Sequence, residues 1–176
     1  PTLNKEKYRQ VILFLLNSSA NNVYLGKVKL FKLLYYIDFN HFEFYKASVT
    51  GDTYRKLDYG PVPMTAQQIL SEMEEEGLIS MTSTQTGNYT QYVFQAHAKP
   101  SIEQFDRSEM EVLEQVVQKW ANHTRTEIVT ATHGEAPWRA VEMGEEIPYT
   151  LAFYRHKVAE AQPDGDEEPQ ELAKVG

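Results

Sequence analysis

The chain has 176 residues, with 17 Lys and Arg against 25 Asp and Glu for a net charge of −8, and no cysteine. That length supports one domain with a core of its own, and the lack of cysteine excludes disulfides, thiolate zinc sites and a cysteine nucleophile. The acidic balance works against non-specific nucleic-acid binding, which needs a basic face to displace counterions from phosphates, and favours a protein partner.

The opening PTLNKEKYRQ holds no apolar run of a secretory signal, so a cytoplasmic protein is expected. Tyr8, Val11, Ile12, Leu15 and Leu16 recur at helical spacing over residues 5–17, with Asn4 placed to cap that helix and the polar run 17–22 to end it. Residues 27–45, KVKLFKLLYYIDFNHFEFY, follow. Wound as a helix, this segment is apolar around almost its whole circumference, leaving a narrow polar strip of Lys29, Lys32, Asn40 and Glu43. Such a helix belongs at the centre of a domain with others packed around it. Its charges are too frequent for a bilayer span, so no membrane segment is expected. Asp38 and His41 interrupt the apolar faces at i,i+3 spacing, close enough to share one surface. They read either as a hydrogen-bonded pair that orients the helix or as the floor of a binding surface.

After Tyr45 the pattern changes. A turn at Thr50-Gly51-Asp52 leads into a short strand, 53–57, and Tyr59-Gly60-Pro61-Val62-Pro63 is held extended by its two prolines. A third helix is expected over 64–76, with Ala66, Ile69, Leu70 and Met73 inward and Gly77 ending it. Residues 78–96 read as a β-hairpin with its turn at 84–87. Ser108 or Asp106 caps a fourth helix, 109–121, and Thr124 with Glu127 forms a capping box for a short fifth. Pro137 and Pro148 are each placed to start a further helix, the last one running to Val158. From Gln162 the chain is rich in proline, glycine and acids, and residues 162–176 are expected to be a disordered acidic tail. The expected fold class is mainly α (α+β): a compact multi-helix domain, residues 1–161, around a buried central helix, with a small antiparallel β-hairpin.

Motifs for chemistry are missing. There is no glycine-rich phosphate loop and no G-x-S-x-G nucleophile elbow. His41, His97, His123, His133 and His156 are scattered along the chain. His133-Gly134-Glu135 before Pro137 echoes a zinc-deaminase signature, but that signature needs cysteine ligands the chain lacks. Asp38 alone among the carboxyls is set to have a shifted pKa, and no second catalytic group stands beside it. No catalytic residue, cofactor or metal is assigned, and the protein is expected not to be an enzyme. A winged-helix-like DNA-binding repressor is the rival from another class, since helix, helix, helix and hairpin occur in the right order and Gln67 and Gln68 are able to read adenine. Its recognition helix would end in Glu74, Glu75 and Glu76, and no Lys or Arg lies between Leu78 and Ala98 to hold phosphates.

Lys32-Leu33-Leu34-Tyr35-Tyr36, Asp38-Phe39 with His41, Thr50-Gly51-Asp52-Thr53-Tyr54 and Tyr59-Gly60-Pro61-Val62 form an ordered set. Joined by Thr132-His133-Gly134-Glu135-Ala136-Pro137-Trp138 and Ile147-Pro148-Tyr149, the set resembles the SocA-like antitoxin family, also called the Panacea domain. The chain departs from the family pattern at Thr132, where serine is common, and in its acidic tail. The resemblance implies a prokaryotic or phage antitoxin of a toxin-antitoxin system, neutralising a cognate protein toxin, encoded by the adjacent gene, through direct protein–protein interaction. A proteolytic adaptor that delivers the toxin to a protease is the variant reading. Carried over by motif, the partner-binding residues are Asp38, His41, Tyr54, Tyr59, Gly60, Pro61, Val62, His133 and Trp138. Gly60, Pro61 and Trp138 have a second reading, as locks that hold the loop on the core.

Overall fold

The computed structural model describes residues 1–18 and 25–156. Residues 19–22 of the expected polar break, the last helix beyond His156, the domain limit at 161 and the tail 162–176 lie outside the described residues. In chain order the elements are α1 (Lys5–Ser18), α2 (Lys27–Tyr45), β1 (Tyr54–Leu57), β2 (Gly60–Pro63), α3 (Ala66–Glu75), β3 (Ile79–Thr86), β4 (Tyr89–Ala96), α4 (Arg107–Trp120), α5 (Arg125–His133) and α6 (Ala136–Arg139). Short 3-10 turns cover Ile102–Gln104 and Tyr149–Tyr154. The fold is mainly helical α+β, with two small antiparallel sheets, β1–β2 and β3–β4.

Helix α2 is the centre, as its composition requires. Leu30, Leu34, Tyr35, Ile37 and Phe39 are fully buried, and α4, α5, β2 and the Tyr149–Tyr154 turn all pack against it. Lys29 and Lys32, on the narrow polar strip of α2, are themselves buried. Neighbours close on every side of α2, so the aliphatic stems fill core space and only the charged heads seek partners. Lys29 Nζ reaches the Ala121 carbonyl at 3.5 Å and Lys32 Nζ the Pro61 carbonyl at 2.6 Å.

The β1–β2 hairpin closes through Asp58 and Tyr59, with Leu57 opposite Gly60. The Lys56 amide and the Tyr54 carbonyl turn away from β2, to Glu145 at 3.0 Å and Ile147 at 2.8 Å. Their cross-strand neighbours, Pro61 and Pro63, therefore sit in pairs that exchange no ladder bonds, where a missing N–H costs nothing. In the second hairpin Thr86 pairs with Tyr89, so the turn is Gly87-Asn88 and not 84–87. Gly87, with φ of +62°, supplies the left-handed residue that a two-residue hairpin loop needs, and the threonines before it continue the strand.

Most helix limits follow local chemistry. Asn4 accepts the Lys7 amide at 3.0 Å and starts α1. Helix α3 begins at Ala66 and not at Met64, because the Met64 amide bonds the Thr53 carbonyl and the Thr65 amide bonds the Asp52 carboxylate. It ends where Gly77, at φ +76°, lets the Leu78 amide reach the Met73 carbonyl at 2.9 Å. Asp106, not Ser108, caps α4, and reciprocal capping boxes join Asp106 to Glu109 and Thr124 to Glu127. Pro148 starts the expected last helix, which opens as the 3-10 turn Tyr149–Tyr154 and is α-helical at Arg155 and His156.

Candidate partner-binding site

Asp38 is fully buried and its carboxylate is enclosed by donors. Oδ1 accepts the Val49 and Thr50 amides at 2.8 Å each, and Oδ2 accepts the Thr50 hydroxyl at 2.5 Å and the Tyr54 hydroxyl at 2.6 Å. Burial raises the Asp38 pKa above its ordinary value, against these hydrogen bonds, which favour the charged form. Asp52, also buried, accepts the Tyr8 hydroxyl at 2.6 Å and the Thr53 and Thr65 amides. Together the two aspartates fasten the loop after α2 to α1, α2 and β1.

Asp38 and His41 share a helix but do not bond each other. His41 turns Nδ1 to the Ala47 carbonyl and holds Ser108 Oγ at 2.8 Å through Nε2, joining α2 to the loop below it and to α4. Asp38 and Tyr54 are 0% exposed and His41 4%, so these three offer a partner almost no surface.

The β1–β2 arm is held by side chains that take its backbone carbonyls. Trp138 Nε1 donates to Leu57 O at 2.9 Å, His133 Nε2 meets Asp58 O at 2.9 Å, and Lys32 Nζ donates to Pro61 O at 2.6 Å. The His133 and Trp138 rings lie 4.2 Å apart, and Lys56 Nζ sits 4.0 Å over the Trp138 ring. Gly60 is pressed into this lock at φ +104°, where a Cβ would stand 2.6 Å from Thr132 Oγ1 and 2.7 Å from Lys32 Cε. Burial pushes the Lys32 pKa down to about 7.

All the locking groups are inside. Gly60 and Pro61 are buried, with His133 at 8% and Trp138 at 6% exposure, and Val62 is half-buried. Tyr59 is 68% exposed, with Leu57 beside it at 40%. The motif therefore divides into a scaffold and one presented aromatic side chain.

Sequence reasoning passed over Lys32, Glu135 and Arg155. Glu135 accepts the Tyr35 and Tyr36 hydroxyls at 2.7 and 2.8 Å, and Arg155 Nη1 lies 3.5 Å from it. Arg155, itself buried, also binds Glu43 at 2.8 Å and Asn40 at 2.6 Å. The position of Glu135 inside the His133–Trp138 box was the one sequence signal for this network. Arg155 stands far along the chain, and nothing local marks it.

A family model described as antitoxin SocA-like, Panacea domain, matches residues 30–139. The chain belongs to this family. The matched span of the Panacea domain opens in α2 and closes on α6, so Asp38, the arm and its locks all fall within it. Membership gives a role in toxin-antitoxin systems and a toxin as the class of partner. No curated protein and no solved structure matches the chain. Among the described residues, no group of three or more His, Asp or Glu is placed to hold a metal, and no helix is long and apolar enough to cross a membrane.

Proposed function

We propose that this Panacea domain neutralises a cognate protein toxin by direct binding, with no catalytic step and no cofactor, and that the tip of the β1–β2 arm is part of the contact. The observation that supports this reading is Tyr59, well exposed on a hairpin whose backbone is fixed by Trp138, His133 and Lys32. Tyrosine is enriched at interface hot spots, and a side chain presented on a fixed backbone loses little further freedom when it binds. In this reading Asp38, His41, Tyr54, Gly60, Pro61, His133 and Trp138 act through the shape of the arm. The toxin is the product of the adjacent gene in a prokaryotic or phage genome, and the two meet in the cytoplasm.

The test is a growth assay in which the neighbouring open reading frame is induced with and without this protein. Rescue from growth arrest supports neutralisation, and a neighbour that is harmless, or stays lethal beside soluble partner, removes the pairing. Following the toxin's level during rescue separates the two mechanisms. A steady level means blocking, and a falling level that depends on a protease means delivery. A salt-dependent shift of promoter DNA by the purified protein would move the repressor reading ahead.

A further inference from the structure

Helix α5 serves two places. Thr132 and His133, at its end, belong to the arm lock, while its first residues and the loop from α4 form one wall of a groove of about 980 Å³. The start of α2, Gly26 to Lys29, and the outer half of the β3–β4 hairpin form the other walls. Met81, Tyr89 and Tyr92 give the groove an exposed apolar side, while Lys27, Lys29, His123 and Arg125 line the remainder. Among the described residues no Asp or Glu lines it, in a chain whose net charge is −8. Glu127, one turn into α5, approaches Lys29 and His123 but is engaged by the Thr124 amide at 2.8 Å.

The backbone adds to the positive character. Helix α2 has Gly26 as its N-cap, which carries no side chain to accept the first-turn amides, and among the described residues the positive end of this 19-residue helix lines the groove. Gly26 also fixes the wall opposite. A Cβ there would lie 2.8 Å from the Tyr92 carbonyl, and the Phe94 amide binds the Leu25 carbonyl at 3.1 Å. The hairpin is thereby pinned against the start of α2, which holds these two walls together.

We propose that this groove binds an extended acidic segment of a protein partner. Its carboxylates lie against Lys27, Arg125 and the first amides of α2, and its apolar side chains lie on Met81, Tyr89 and Tyr92. An extended peptide sends alternate side chains to opposite sides, which suits a groove with one cationic and one aromatic wall. Nucleic acid shares the chemistry of the contacts but not their extent. Its strand brings a charge with every nucleotide and runs on past these few cations over a surface of like charge. The inference does not depend on which face meets the toxin.

A fluorescein-labelled peptide of alternating glutamate and leucine, titrated against the full chain by anisotropy, tests it. The controls are the same peptide with glutamine for glutamate and an oligothymidylate of similar length. The glutamate peptide should bind about tenfold tighter than the glutamine peptide, and added salt should weaken it. Lys27 and Arg125 are exposed, so Lys27→Glu and Arg125→Glu should each weaken binding about fivefold with the melting temperature unchanged. Four results would overturn the proposal. These are equal binding of the glutamine peptide, tighter binding of the oligothymidylate, charge reversals without effect, and no binding of the glutamate peptide, including the case where the chain's own acidic residues 162–176 already fill the groove.

Discussion

Lys32 donates its Nζ to the Pro61 carbonyl at 2.6 Å from a position on α2 that is 1% exposed. A charged head is thus used to hold the backbone of β2 at a place where the core leaves it hardly any water. Burial lowers its pKa from 10.5 to about 7. The unfolded chain keeps this proton up to the ordinary lysine range, while the folded chain releases it near neutrality. Between those values the unfolded state holds more protons, so stability rises with pH, and below the folded pKa the penalty is constant and complete. The stability of the native chain, measured by urea unfolding, should therefore climb from about pH 7 to 9 relative to Lys32→Met, by up to about 1.4 kcal/mol per pH unit. A flat difference between the two proteins would mean that the folded chain keeps the ammonium charged, so that burial does not outweigh its hydrogen bonding at this position.

Gly60 and Gly77 both have left-handed backbones, and they separate strain from collision. At Gly77 a Cβ would meet nothing within 4 Å, whereas at Gly60 it would strike Thr132 Oγ1 and Lys32. Gly77→Ala should cost about 1 kcal/mol, the strain alone. Gly60→Ala adds the overpacking of the lock and should cost about 2–4 kcal/mol in the same urea measurement. Equal losses at the two sites would show that the arm yields, and that α5 does not clamp it.

Asp38→Ala would strip an acceptor from two amides and two hydroxyls at once, all buried beneath the loop after α2. A loss of about 3–5 kcal/mol is expected, with Asp38→Asn falling between it and the native chain because one carbonyl oxygen remains for the two amides. Growth rescue by either variant should track the amount of soluble protein. Rescue lost at full solubility would instead give Asp38 a direct part in binding.

The fold was legible where one helix turn or one strand decided the outcome. The stripe of α1, the cap at Asn4, the box at Thr124 and the all-round apolar surface of α2 are properties of neighbours in sequence, and the structure keeps them. The burial of Lys32 was not legible, because an isolated helix pattern has no means of showing that β2 and α5 close over its one charged strip. The hairpin turn was misplaced because the threonines of 82–86 have both turn and strand character, and only the cross-strand register decides between them. At the candidate site, the lock reading of Gly60, Pro61 and Trp138 was open from the sequence, but nothing local decided it. His133 reads as a surface binder, and Trp138 stands between binder and lock, until the carbonyls of Asp58 and Leu57 are brought to them from 75 and 81 residues earlier in the chain.

The division into scaffold and presented residue gives the sharpest comparison on the arm. Tyr59 is 68% exposed and makes no side-chain hydrogen bond among the described residues, whereas Trp138 is 6% exposed and bonds Leu57. Tyr59→Asp should leave urea stability within about 0.5 kcal/mol of the native chain, as exposed substitutions do, yet abolish growth rescue by placing a charge at the contact. Trp138→Phe removes the carbonyl bond and part of the surface under Lys56, for a cost of about 1–3 kcal/mol. Its rescue should fall only as far as the protein's level falls, and a second copy of the gene should restore it. Full rescue by Tyr59→Asp would put the toxin contact on another face. A Tyr59→Asp protein that unfolds would show that the tip supports the arm, and the separation into scaffold and presented residue would fail with it.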